Sequence, residues 1–245
     1  MKRRLLPLFG FIALMLCTDV LVHAQSATEM APAATPSGPP SHPIYLTGNE
    51  EAWKNFPKAP ALGSPIDLAD LTITLSIQAS RTEDQKAEAT TDKEYAITLV
   101  TSVIDPSFQT KYPKTFEVLT QADKDAYFVN SMLKKANARL RPFMQHPTLV
   151  TPLFTSKDFT YPSGHSSGSE LQARLLGQLF PAQAEDLLKR ARQIADSRVV
   201  AGVHYTSDTE AGQALGDLMF KQLEANPKFR HDLAAAAQAD NIPLK

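Results

Sequence analysis

From Ser166 onward the chain is a succession of helical patterns with proline between them, and this narrows most what it can fold into. One pattern runs to about Phe180 and stops at Pro181. A second covers residues 184–203. A third starts near Ser207, where Ser207-Asp208-Thr209-Glu210 has capping-box form, and Asn226-Pro227 ends it before a short Ala-rich helix. Proline lacks the amide hydrogen that a helix interior uses and restricts the residue before it, so each stop is local backbone chemistry. Upstream, Ser64-Pro65 puts a capping serine before a proline at the first helical position. Ile66, Leu68, Leu71, Ile73, Leu75 and Ile77 follow; part of that run alternates as a strand would, but its length and its Asp and Ala residues favour helix. No stretch carries a clear strand pattern, so the fold class expected is all-α.

The N-terminus reads differently. Lys2, Arg3 and Arg4 precede an apolar run at residues 5–16, too short for a bilayer span, and Val22-His23-Ala24 ends in a small residue. The expectation is a signal peptide over residues 1–24 and a periplasmic protein; the alternative is an uncleaved anchor. Leu16 stands before Cys17 where a lipoprotein site would have a small residue. Cleavage removes Lys2, Arg3, Arg4 and Asp19, taking the net charge from −1 down by three and up by one to −3. It also removes Cys17, the one cysteine, so no disulfide framework is available and the core must supply the stability. Residues 25–43, rich in Ala, Ser, Thr and Pro, read as a flexible mature N-terminus. A net charge this close to zero gives no ground for a nucleic-acid scaffold. No later segment reaches transmembrane length, and the mature chain is expected to be soluble.

Between these ends, Pro43-Ile44-Tyr45-Leu46 begins ordered structure as an extended arm, and residues 81–94 read as a solvated helical face with a turn. Residues 95–104 are apolar and helix-length. Residues 114–139 hold two helical patterns, with Phe116, Leu119, Ala122, Tyr127, Phe128, Met132 and Leu133 as core, the second ending at Pro142. Residues 143–162 form a long loop, of the kind that often carries function.

Three clusters carry chemistry. Lys134 and Arg141-Pro142 are seven residues apart, nearly two turns, which on one helix gives one face; a helix C-terminus complemented by cations explains them equally. Pro162-Ser163-Gly164-His165 opens a helix, whose free amides suit an anion; Ser163 can cap the helix or donate to an oxyanion, and a capped Pro-Gly turn is the plain alternative. In Ser197-Arg198-x5-His204-x3-Asp208, a carboxylate four residues past a histidine can accept its Nδ1–H and leave Nε2 free; a capping Asp beside an unrelated histidine is the alternative. Together they supply three cations, two histidines, a carboxylate and an amide-bearing helix mouth, an inventory that suits a phosphoryl group. His42, His146 and His231 stand isolated, and no other cluster has metal-ligand spacing.

Taken together, Lys134, Arg141, Pro142, Pro162, Ser163, Gly164, His165, Ser197, Arg198, His204 and Asp208 resemble the three-part signature of the phosphatidic acid phosphatase type 2 / vanadium haloperoxidase superfamily. Tyr161 and residues 43–46 make the chain look most like the bacterial class A non-specific acid phosphatases within it. The resemblance spans Lys134 to Asp208 and is weaker over residues 50–110. It implies a single compact helical domain, residues 44–245, with the active site among the C-terminal helices. It implies hydrolysis of phosphate monoesters: His204 as nucleophile through a phosphohistidine, Asp208 orienting it, His165 as general acid, and Lys134, Arg141, Arg198, Ser163 and the Gly164 amide around the phosphoryl oxygens. No metal or other cofactor is implied, the partners are small phosphorylated substrates, and a dimer or higher assembly is expected. With histidine titrating near ~6.5, activity is expected to fall above neutral pH. The competing readings are a vanadate-dependent haloperoxidase, a lipid-phosphate or diphosphate phosphatase, and a binding protein for phosphorylated ligands without turnover. Phe143, Phe154, Phe159 and Tyr161 either line the entrance or pack the loop.

Overall fold

The structure is a computed structural model that describes residues 43–47 and 50–243. The expected signal peptide, the rest of the N-terminal segment up to residue 42 and His42 itself lie outside the described residues. Eleven helices follow in order among the described residues: α1 (Glu50–Lys54), α2 (Pro65–Ser80), α3 (Glu83–Thr91), α4 (Thr98–Thr101), α5 (Phe108–Lys111), α6 (Pro113–Asn137), α7 (Pro142–Gln145), α8 (Gly164–Leu179), α9 (Ala184–Val200), α10 (Thr206–Ala225) and α11 (Pro227–Ala239), with a 3-10 turn at Pro181–Gln183. The all-α fold expected from the sequence is the fold observed.

The helix α8 is the centre. It packs most extensively against α10 and α9, and then against α6. Leu171, Leu175 and Leu176 on it are fully buried, meeting Leu119, Leu187, Ile194, Leu215 and Met219 from the surrounding helices. Each such side chain contributes about 1.5–3 kcal/mol by leaving water. The α8–α10 contact is close because Gly212 and Gly216, four apart and so on one face of α10, lie against it. A Cβ at Gly212 would stand 2.6 Å from the Ser163 carbonyl oxygen, and one at Gly216 would stand 2.6 Å from that of Ser167. That contact sets the distance between the start of α8 and the start of α10, where the candidate site lies.

Several local expectations hold. Ser64 caps α2, accepting from the Asp67 amide, with Pro65 at its first turn. Asn226 caps α11 by accepting from the Lys228 and Phe229 amides. The arm at residues 43–47 is bent rather than extended, and Asp125 holds it: its carboxylate accepts the backbone amides of Ile44, Tyr45 and Leu46 in succession.

Others need correction. Residues 114–139 hold one 25-residue helix, not two. Tyr127 and Met132 on it are exposed, not core. Of the apolar run at residues 95–104 only Thr98–Thr101 is helical, as α4, and residues 102–104 turn before Asp105-Pro106. Helix α2 is inverted: Asp67, Asp70 and Thr74 are buried while Ile66, Leu68 and Ile73 face outward. The cap of α10 is Tyr205, two residues before Ser207, with the Asp208 carboxylate accepting the Tyr205 amide. Residues 81–94 are no mere solvated face: Asp92 at the end of α3 is fully buried, accepting from Arg190 and from the Ser197 hydroxyl.

Candidate active site

Lys134, Arg141, Gly164, His165, Arg198 and His204 line one cavity of about 180 Å³. The sequence expectation that Lys134 and Arg141 share a helix face is wrong in its geometry. Helix α6 ends at Asn137, Ala138 turns the chain in the left-handed region (φ 48°), and Arg141 is the residue that starts α7. The two cations still meet, through a residue the sequence did not single out. One oxygen of Asp158 accepts from Lys134 Nζ at 2.7 Å and the other from Arg141 at 2.6 Å. The Asp158 side chain is half exposed while both cations are buried. Burial raises its carboxyl, but Lys134 and Arg141 outweigh that and hold it well below the usual carboxylate range. Burial draws Lys134 down to about 8, against the pull of Asp158.

Arg198, in the last turn of α9, gives NH1 to the carbonyls of Asp92 (3.0 Å) and Lys93 (3.2 Å). Its guanidinium lies over the Phe154 ring at 5.1 Å. Its Nε is buried with no hydrogen-bond partner among the described residues. Loss of hydration lowers it to about 10, still charged across the physiological range.

His204 is buried between two fixed groups. Arg141 NH1 lies 3.1 Å from its Nε2, and Thr160 Oγ1 lies 2.9 Å from its Nδ1. Asp208 Oδ2 is 3.6 Å from Nδ1, too far for the direct hydrogen bond that the four-residue spacing suggested. Asp208 instead accepts from Thr160 Oγ1 (2.6 Å), from the Tyr205 amide (2.8 Å) and from Arg139 (2.8 Å). Arg139 also binds Asp67 and Asp70, each at 2.9 Å, and lies over the Tyr205 ring. This explains the inverted α2: its inward face carries the carboxylates that an interior arginine requires. Burial, followed by Arg141, Lys134 and Arg198, keeps the His204 imidazole neutral by pulling its pKa well below the ordinary value. Burial pushes the Asp208 carboxyl up, with Arg139 opposing.

At the mouth of α8, Gly164 lines the cavity, and a Cβ there would stand 3.2 Å from Asn130 Oδ1. The first amides of a helix have no intrahelical partner and point their hydrogens outward. Ser163 takes the capping option: its Oγ accepts from the Ser166 amide at 3.4 Å and from the Ser166 hydroxyl at 2.9 Å, and its side chain is not among those lining the cavity. His165 is half-buried, with Nε2 3.1 Å from the Lys93 carbonyl and its ring against the edge of Tyr95. Burial and then Arg198 lower it to about 3. An ordinary histidine value therefore does not apply to the unliganded cavity, and an anion bound beside the ring would draw the proton back by offsetting Arg198.

Tyr95, Asp123 and Tyr127 also line the cavity. The Tyr95 hydroxyl donates to Asp123 at 2.8 Å, and burial raises the Asp123 carboxyl to about 6. Phe143, Phe154, Phe159 and Tyr161 do not line the cavity. Phe154 and Phe143 pack with Ala201 and Val203, and Tyr161 is buried with its hydroxyl on the Pro57 carbonyl. Asp158, Thr160, Arg139 and Asp92 were missed by sequence reading. Only Arg139 gave any signal, standing two residues before Arg141 inside the first motif. Among the described residues no group of three or more His, Cys, Asp or Glu is arranged to hold a metal ion, and no helix is long and apolar enough to cross a membrane.

Residues 125–223, which include the central helix, the three cations and the two histidines, match the model of the PAP2 superfamily. The chain is 27% identical over 226 residues to the non-specific acid phosphatase of Salmonella typhi, covering 88% of this chain and 86% of that protein. It is 25% identical to the non-specific acid phosphatase of Providencia stuartii, covering 79% of this chain and 83% of that protein. In fold it resembles a bacterial vanadium-dependent iodoperoxidase, with a TM-score of 0.57 at 16% identity, over 72% of this chain and 52% of that one.

Proposed function

We propose that this chain is an exported, metal-independent acid phosphatase that hydrolyses phosphate monoesters of broad structure through a phosphohistidine on His204. The coarser part, a phosphatase of the PAP2 superfamily, is carried by the family match and the acid phosphatase homologues. One observation supports the finer reading: Lys134, Arg141 and Arg198 converge on the same small cavity as His204, whose ring is held neutral and fixed on both nitrogens.

In the first step Arg141 NH1 turns from His204 Nε2 to a phosphoryl oxygen, the freed Nε2 lone pair attacks phosphorus, the bond to the leaving oxygen breaks, and His165 gives that oxygen its proton. In the second, water attacks phosphorus, the P–N bond breaks, and the water proton passes to His165. Lys134, Arg141, Arg198 and the Gly164 amide carry the negative charge on the equatorial oxygens, the part that a divalent cation plays in other phosphoryl transfers. A dianionic substrate offsets the cations beside His165 and raises its proton affinity, so His165 takes a proton from solvent as the substrate binds, and activity falls above neutral pH. Asp208, through its partners, keeps the nucleophile in one tautomer.

Purified protein assayed on p-nitrophenyl phosphate at pH 5–6, with and without EDTA, tests this. Turnover unchanged by EDTA and stopped by vanadate is expected. Folded protein that releases no p-nitrophenol, or loses its activity to EDTA, contradicts it.

A further inference from the structure

We propose that Thr160 is a positioning residue: its hydroxyl, not the Asp208 carboxylate directly, holds the His204 ring in its reactive tautomer. The inference deepens the proposed function and rests on it for the role of His204, but its geometry stands without it. Asp208 Oδ2 is 3.6 Å from His204 Nδ1, while Thr160 Oγ1 lies 2.6 Å from that oxygen and 2.9 Å from that nitrogen. A hydroxyl has one hydrogen to give, and Asp208 is placed as an acceptor throughout, its Oδ1 taking the Arg139 guanidinium and its Oδ2 the Tyr205 amide. The Thr160 proton therefore goes to Asp208, and a lone pair of Oγ1 faces Nδ1. Nδ1 must then carry a hydrogen.

The other side of the ring gives the same answer independently. Arg141 only donates, and its NH1 is 3.1 Å from Nε2, so Nε2 presents a lone pair. Two neighbours that share no atoms thus select one tautomer, with Nδ1 protonated and Nε2 unprotonated and accepting from Arg141. Nε2 is the ring atom beside Arg141, and His204 and Arg141 line the cavity with Lys134.

The hydroxyl is itself pinned. Thr160 is fully buried, and its amide donates to the Arg139 carbonyl at 3.0 Å. The second Asp208 oxygen is held by Arg139, which is anchored in turn by Asp67 and Asp70. The chain of contacts runs from α2 through Arg139 and Asp208 to Thr160 and the ring. When His204 bonds to phosphorus its ring becomes cationic, and the nearby carboxylate charge reaches it across two short hydrogen bonds rather than one.

Thr160→Val removes the hydroxyl and keeps the shape; Thr160→Ser keeps the hydroxyl and removes the methyl. Ring ¹⁵N shifts of His204, read in labelled protein between pH 5 and 8, should show protonated Nδ1 in the wild type and in Thr160→Ser, and a mixed or inverted tautomer in Thr160→Val. On p-nitrophenyl phosphate, kcat of Thr160→Val should fall about 10- to 100-fold, the size seen when an orienting partner is lost, with KM within about twofold. Thr160→Ser should restore most of kcat. Should Thr160→Val not fold, Thr160→Ala takes its place in both measurements. A Thr160→Val protein with the wild-type tautomer and wild-type kcat overturns the proposal, as does a Thr160→Ser protein as impaired as Thr160→Val. If wild-type protein turns nothing over yet its tautomer still depends on the Thr160 hydroxyl, the phosphatase reading fails and this one stands.

Discussion

Asp158 and Arg139 carry opposite charges and opposite tasks, and each sits beside a residue of the motifs. Arg139 is buried among three carboxylates and builds the wall behind Asp208. Asp158 faces the cavity and takes, with one oxygen each, the donors of Lys134 and Arg141 that two phosphoryl oxygens require. A phosphate must displace it, and the half-exposed side chain has solvent into which to swing. Asp158→Asn keeps the shape and removes the competing charge. The carboxylate end of this pair is half exposed and solvated, so its competition with phosphate is scaled as for a surface pair, about 1 kcal/mol, and inhibition by inorganic phosphate should strengthen roughly fivefold. Phosphate inhibition constants for the two proteins, measured at one pH and salt concentration, decide it. Weaker binding in the variant would show that Asp158 assembles the cation pair rather than competing for it. Motif reading found the cations and histidines because their spacing is local. It passed over Asp158 and Thr160 because what makes them matter is contact with residues tens of positions away, on other elements.

At the level of elements, the site is the product of helix ends brought together: the last turns of α6 and α9 supply Lys134 and Arg198, and the first turns of α8 and α10 supply Gly164 and Asp208. Sequence reading placed α8 to α11 well, since proline and capping residues mark their ends. It divided α6 in two, where no break exists, and it made one helix of residues 95–104. It also took the apolar residues of α2 at face value. The buried Asp67 and Asp70 make sense only once Arg139 is seen opposite them, and a periodicity argument has no access to a partner 69 or more residues away. The spacing of α8 and α10 depends on Gly212. In Gly212→Ala the added methyl meets the Ser163 carbonyl and the Ser166 Cβ, at 2.6 and 2.7 Å. Overpacking of this kind costs about 1–3 kcal/mol. The melting temperature should fall, and activity with it, because the Ser163 end of α8 is the part displaced. A variant that melts with the wild type would mean that α8 and α10 shift apart freely.

For the molecule as a whole, the burial of charged and titratable groups around one cavity ties stability to pH. His165 falls from 6.5 to about 3 in the folded chain, and His204 also lies well below its ordinary value. Between those limits the unfolded chain binds protons that the folded one does not, so this contribution to stability is lost as pH falls from about 6.5 toward about 3. Melting temperature without phosphate should therefore drop on acidification, and His165→Asn should flatten the drop. Equal slopes in the two proteins would remove His165 from the account. Added phosphate binds only the folded form and should offset the drop, more strongly at pH 5 than at pH 8, because its charge and the His165 proton then favour each other.

The central claim is the covalent step at His204, and trapping it is the most direct measurement. Protein mixed with p-nitrophenyl phosphate and quenched in alkali within milliseconds should carry one phosphoryl group, stable to base and labile to acid, mapped to His204 and absent from His204→Ala. Wild-type protein that turns the substrate over with no phosphoryl-enzyme at any quench time, or a phosphoryl group that remains in His204→Ala, would contradict the account.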